Sequence, residues 1–251
     1  MIEIQAVQTG PVTVRVLTLS SGRVNALDVE FLEELTEAIR ELQRLGAGPL
    51  VLTGAGGVFS AGVDLKRVQS GGANYTDRLI PALSDNFAAL FSYPGPTVAA
   101  INGAAIAGGC VLACACDRRL ISPDAPIGAT ELRVGVPFPA AALEVVRHAC
   151  GRHAEEVLLG GDLYRGDDAV DAGLAHRVVA EDLVGAAVAE AAGLGEISAV
   201  AYAHTKAQLR APTLARISDS QVVDGEVRQL WGADETRQRI AESLERLRRR
   251  D

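Results

Sequence analysis

The chain has 251 residues, of which 48% are hydrophobic and 22% charged, a composition that supports one sizeable core and excludes an intrinsically disordered polymer. Its formal net charge of -8 argues against general nucleic-acid binding, which relies on basic surface to displace counterions, although a few local donors would suffice for an anionic small ligand. No stretch approaches the roughly 20 uncharged apolar residues of a membrane span, and MIEIQAVQTG lacks the basic-then-apolar pattern of a secretion signal, so a cytoplasmic protein is expected.

Apolar residues alternate over residues 2–7 and Val12–Leu19, which predicts two strands joined through Gly10-Pro11. Asp28 then stands where a helix cap would, ahead of Phe31, Leu32, Leu35, Ile39 and Leu42 at helical spacing, and Gly46 and Gly48 stop that helix. Residues 49–53 (PLVLT) read as a short buried strand. The unit recurs: Leu79, Ile80, Leu83, Phe87, Leu90 and Phe91 define a second amphipathic helix ended by Pro94-Gly95-Pro96. Thr97–Ile101 is another buried strand, GGCVLACACD a short internal helix, and residues 118–122 a further strand.

From Ala141 onward the pattern is mostly helical, clearest over residues 182–192, 199–210 and 235–250, where Ile240, Leu244 and Leu247 share a face. The alternation predicts an α/β core with helices outside it. A helical C-terminal segment, residues 196–251, would follow a core of residues 1–195 without a flexible linker. Cys110, Cys114 and Cys116 sit in one Ala-rich run and Cys150 stands apart. None has the paired spacing of a zinc site, so no metal is expected, and all four read as small buried hydrophobes of a reducing compartment.

Two glycine-rich turns carry the chemical signal. Strand LVLT leads into GAGGVFSAGVDL, with four glycines from Gly54 to Gly62. A dinucleotide fingerprint fails there, because Phe59 stands where its last glycine should be. A nucleophile elbow fails too, because Ser60 lacks a glycine two places before it. A plain tight turn and a backbone cradle for negative charge remain. The second turn, Asn102-Gly103 through Gly108-Gly109, follows strand TVAAI and opens a helix, whose first amides lack intrahelical partners and lie at the positive end of its dipole. Two such turns behind two buried strands can aim two amides at one oxygen, each donor contributing about 3–4 kcal/mol to a transition state.

The segments Phe59-Ser60-Ala61-Gly62-Val63-Asp64-Leu65 and Ile101-Asn102-Gly103…Gly108-Gly109-Cys110 resemble, in order and separation, the two signature loops of the crotonase (enoyl-CoA hydratase/isomerase) superfamily. The resemblance extends from Val24-Asn25-Ala26-Leu27 to Ala172-Gly173-Leu174-Ala175. It implies a spiral core of repeated strand-strand-helix units with a helical C-terminal appendage, an acyl-CoA thioester as substrate with coenzyme A as part of it and no separate cofactor, and assembly as a homotrimer or hexamer. It also implies that the Val63 and Gly108 amides hold the thioester oxygen, and that the stretch Ser60, Ala61, Gly62, Val63, Asp64, Leu65 together with Gly108 binds substrate, with the 61–65 portion lying against the adenine end.

Hydratases of that superfamily resemble one another in carrying two glutamates, at positions matching Val111 and Glu131. This chain keeps Glu131 and has an apolar Val111. Adding water needs two groups, whereas shifting a double bond needs one base that moves a proton from C2 to C4. Together with Ala107–Arg118, Ile127-Gly128 and Gly135-Val136-Pro137-Phe138, this pattern is similar to the Δ3-Δ2-enoyl-CoA isomerase branch, with Glu131 as the expected base. A hydratase-like, thioester hydrolase or decarboxylase reaction, or an acyl-CoA-binding protein without catalysis, are the competing readings. His148, His153, His176 and His204 are scattered, and Trp231 reads as a packing anchor. The basic residues 246–250 read as a helix end complementing its dipole or as a neighbour of coenzyme phosphates, and Asp64 reads as organising its own turn through backbone hydrogen bonds.

Overall fold

Strands β1 (Ile2–Thr9) and β2 (Val12–Leu19) form the expected antiparallel hairpin in the computed structural model, which describes residues 1–248. Beyond β2 every pairing is parallel: β3 (Leu50–Gly54), β4 (Thr97–Ile101), β6 (Arg118–Ile121) and β8 (Arg177–Val178) complete a six-stranded sheet in the order β1-β2-β3-β4-β6-β8. A second, two-stranded sheet pairs β5 (Ala105–Ile106) with β7 (Ile127–Gly128).

Period-two alternation divides the sheet's side chains between two cores. Leu17, Leu19, Leu50, Leu52, Ala99, Ile101 and Ile121 enter the larger one. There they meet α1 (Val29–Arg44), α2 (Leu65–Phe91), α3 (Gly108–Ala115) and α4 (Ala140–Cys150). Val14, Val16, Val51, Val98, Ala100 and Leu120 face the other way, against Leu183, Ala187, Val188 and Ala191 of α7 (Leu183–Gly195). Strands β3 and β4 are buried along their whole length, which is why they read as unbroken apolar runs.

Asp28 caps α1 as its position suggests, accepting the Phe31 amide at 2.8 Å. Helix α2 differs from expectation. It starts at Leu65 rather than near residue 79, because Asp64 caps it through the Lys66 and Arg67 amides at 3.0 and 3.1 Å. Gly72 (φ 55°, ψ -149°) breaks the helix near its start, and the Gly71-Gly72 pair also erases the apolar period there. Between α4 and α7 lie α5 (Ala154–Gly160) and α6 (Gly166–Asp171).

The C-terminal segment holds α8 (Ala199–Asp219), α9 (Gln221–Gly232) and α10 (Asp234–Arg248). Ser198 caps α8 through the Ala201 amide, so only residues 196–198 separate it from α7. A buried ionic knot fastens α8 to the core. Asp117, just before β6, accepts Lys206 and Arg210 at 2.7 Å each, Tyr202 at 3.0 Å and the Thr97 amide at 2.8 Å. Burial pushes the Asp117 carboxyl up, but Lys206 and Arg210 outweigh it and hold it below its ordinary value. Burial also pulls the Lys206 ammonium down to about 8. Ile240 of the expected α10 stripe is fully buried and Leu244 packs against the core; the side chain of Leu247, and residues 249 and 250 of the basic end, lie outside the described residues. Among the described residues no single helix is long and apolar enough to cross a membrane.

Candidate active site

The site is built on a ladder of single-residue bridges beside the small sheet: Leu27 with Val63, Ser60 with Ala105, and Ile127 with Tyr164. Leu27 donates to the Gly62 carbonyl at 2.8 Å and accepts the Asp64 amide at 3.0 Å. In a parallel bridge this turns the intervening Val63 amide away from Leu27. The Ser60 bridge works the same way, Ser60 donating to Ala104 O and accepting Ile106 N at 2.9 Å each. Neither Val63 N–H nor Gly108 N–H has an acceptor among the described residues.

Asn25 holds the first loop in place. Its left-handed backbone (φ 50°) is one that Asn tolerates better than most residues. The side-chain Nδ2 donates to the carbonyls of Val58 at 2.7 Å and Ala55 at 3.1 Å, Oδ1 accepts the Ser21 amide at 3.1 Å, and the backbone carbonyl accepts Ser60 Oγ at 2.7 Å.

The two glycine-rich loops meet directly. At Gly62 (φ 82°) a Cβ would stand 2.7 Å from Ile106 O and 3.2 Å from Gly108 N, and at Gly109 one would stand 2.3 Å from Ser60 O. Glycine is required at both places for backbone to lie on backbone. Ala107 enters α3 at φ 53°, ψ -121°. Its amide donates to Gly128 O at 2.8 Å and its carbonyl accepts Val111 N at 3.1 Å, which fixes the orientation of the peptide that carries the Gly108 N–H.

A cavity of about 430 Å³ opens beside this contact, within the range of small-molecule sites. Ala61, Val63, Leu65, Gly108 and Glu131 all line it. Glu131 begins a short 3-10 turn (Glu131–Val134) and is 6% exposed, with its Oε2 buried and unpartnered. Burial pushes its carboxyl up to about 8, against a smaller lowering by its own backbone amide; buried Cys114 nearby adds to the rise. A carboxyl so placed exchanges a proton near neutral pH, and two unpaired amides at the same cavity can take up charge developing on an oxygen.

Ser60, Gly62 and Asp64 do not line the cavity. Ser60 is fully buried and ties the loop to Asn25, also accepting the Gly62 amide at 3.2 Å, while Asp64 is spent on capping α2. Of the residues expected to bind substrate, these three thus lie outside this cavity and shape the loop whose neighbours reach it. Val111 is fully buried in α3 and does not line it either.

The C-terminal helices supply wall residues, of which the sequence offers only Arg246, through the basic end, as a neighbour of the ligand. Trp231 of α9, and Ser243 and Arg246 of α10, all line the cavity. Arg133, also in the lining, pairs with Asp162 at 2.5 Å. No local pattern announces such contacts, since Trp231 donates to Pro137 O at 2.8 Å across 94 residues. The cysteines are free and buried, as expected.

Comparison with known proteins bears on this arrangement. The model of the family described as enoyl-CoA hydratase/isomerase matches residues 9–247. A putative enoyl-CoA hydratase of Thermus thermophilus is 37% identical over 178 residues, 69% of each chain. The mitochondrial enoyl-CoA delta isomerase 1 of Homo sapiens is 30% identical over 217 residues, covering 84% of this chain and 72% of that protein. The crystal structure of human mitochondrial delta3-delta2-enoyl-CoA isomerase superposes with a TM-score of 0.92 at 28% identity, covering 99% of both chains.

Proposed function

This chain belongs to the enoyl-CoA hydratase/isomerase family, and we propose that within it the protein shifts the double bond of a 3-enoyl-CoA thioester to the 2-position, with Glu131 as proton carrier. One observation supports this above the others. Among the described residues that line the cavity, Glu131 is the one carboxylate, and no His, Cys, Lys or Tyr accompanies it.

The reaction balances with that single group. The Glu131 carboxylate takes a proton from C2, and the C–H electrons flow into the thioester carbonyl to give an enolate. The Val63 and Gly108 amides offset the charge on its oxygen. The same carboxyl then returns the proton at C4 as the double bond settles between C2 and C3, so nothing is gained or lost. A group balanced near pH 8 suits both giving and taking that proton.

Water addition would call for a second polar group. The position expected to hold it, Val111, is apolar and fully buried. The Thermus relative, named as a putative hydratase, favours hydration as a second reading. Supplying 3-enoyl and 2-enoyl thioesters separately decides between them: isomerisation with no 3-hydroxy product supports the first reading, and a 3-hydroxyacyl product from the 2-enoyl thioester replaces it.

A further inference from the structure

We propose that Trp231 is the specificity-determining wall of the cavity and sets the longest acyl tail the protein accepts; this rests on the acyl-thioester reading of the cavity given above. Trp231 and Phe87 are its two aromatic lining residues, and they stand in different places. The Phe87 ring tip lies 3.7 Å from where a Cβ on Gly108 would be, so Phe87 flanks the end where the amides sit. Trp231 donates to Pro137 O, which sets it against the segment that follows Glu131, where Val136 and Pro139 also line the cavity.

That wall has little freedom to retreat. Trp231 is 2% exposed, and its Nε1–H donates to Pro137 O at 2.8 Å, which fixes the orientation of the ring. Two helical turns earlier on α9, Asp224 accepts the Ala140 amide at 2.8 Å and the Ser84 hydroxyl at 3.3 Å. The residue after Trp231, Gly232, lies so near α2 that a Cβ on it would be 3.2 Å from the Ala73 methyl. Helix α9 is thus clamped between α2 and the start of α4, holding a flat, rigid side chain against the cavity. A tail that reaches the indole has to displace it or stop.

The test replaces Trp231 by Phe and by Leu, two variants that keep an apolar filler, and confirms folding by circular dichroism. For wild type and both variants, kcat/KM is measured over straight-chain 3-enoyl-CoA thioesters of increasing length. Affinity for the matching saturated acyl-CoA series is measured by calorimetry. Removing part of the indole is expected to move the preferred tail to greater length in both readouts. The longest tail should gain at least about tenfold over the shortest, the scale on which a hydrophobic pocket discriminates added methylenes. An unchanged length preference in folded Trp231→Leu protein overturns the inference, as does a wild type that binds no acyl-CoA. If the wild type binds the series without isomerising it, the isomerase reading falls, and the affinities alone still decide the role of Trp231.

Discussion

The side-chain amide of Asn25 donates to the Val58 carbonyl at 2.7 Å, binding the turn before α1 to the loop that presents the Val63 amide. Asn25 also reaches the Ala55 carbonyl, so one side chain satisfies two loop acceptors at once. Asn25→Ala would leave the Val58 carbonyl without its donor and the Ser21 amide without its acceptor, and place alanine at φ 50°. A stability loss of about 2–4 kcal/mol is expected, at about 1–3 kcal/mol per orphaned buried group. Urea unfolding reads that loss. In protein still folded, kcat/KM should fall as well, and an undiminished kcat/KM would show that the loop holds its shape without Asn25.

Glu131→Gln keeps size and polarity and removes the basic oxygen. Turnover on a 3-enoyl thioester should drop by roughly 10²–10⁴-fold. Substrate affinity should change little, because Val63, Leu65 and the apolar walls remain. Full activity in this variant would remove Glu131 from the mechanism.

The raised carboxyl has opposite consequences for rate and for stability. A base must be ionised, so kcat/KM should climb with pH through about 8 and then level off. The folded value lies above the unfolded one of 4.5, so the contribution of Glu131 to stability is fully present below 4.5 and is lost as pH rises through about 8. Glu131→Gln, which carries no such charge, should therefore gain on the wild type in urea midpoint between about pH 5 and about pH 9. A gap that stays constant over that interval would contradict the burial argument.

Asp117→Asn would strand two cations, Lys206 and Arg210, in a buried knot. Breaking such a cluster by removing one partner should cost about 3–5 kcal/mol. Neither these three residues nor Tyr202 lines the catalytic cavity, so the specific activity of folded protein should be largely kept at low temperature. Thermal unfolding followed beside activity checks both halves.

Helix α8 carries apolar side chains in water: Val200 is 81% exposed and Leu209 68%. Nine residues apart on one helix, the two stand on opposite faces rather than in one patch; we propose that assembly as a trimer or a dimer of trimers, which the family resemblance implies, covers at least one of them. Sedimentation velocity at micromolar concentration should show an oligomer in wild type, weakened in Val200→Asp/Leu209→Asp. A monomeric wild type would exclude this assembly.

What could be read from the sequence was what local physics imposes. Asp28 before an apolar period has one common meaning, and α1 starts there; PLVLT and TVAAI had to be strands once turn residues bounded them. The two glycine-rich loops and Glu131 were legible through their resemblance to a known pattern. The two-residue strands β5, β7 and β8 are too short to show any period. The first half of α2 was hidden by Gly71-Gly72, and α9 had no clear stripe to announce it. Trp231 was legible as a packing anchor, and its second role as cavity wall arises from a contact distant in sequence. Ser60 and Asp64 sit inside the signature segment and yet do not line the cavity, because Ser60 is spent on the Asn25 carbonyl and Asp64 on capping α2.

Ala107 stands at φ 53°, ψ -121°, a conformation that an alanine occupies at a cost of about 1–3 kcal/mol. The expense falls on the one peptide that presents the Gly108 amide. Glycine there would relieve it, and selection for heat tolerance alone would favour that exchange. It would also widen the range of orientations open to the amide when no substrate is bound. In evolutionary terms, the methyl group of Ala107 is ballast: it makes the fold slightly less durable and keeps one hydrogen-bond donor aimed before any ligand arrives.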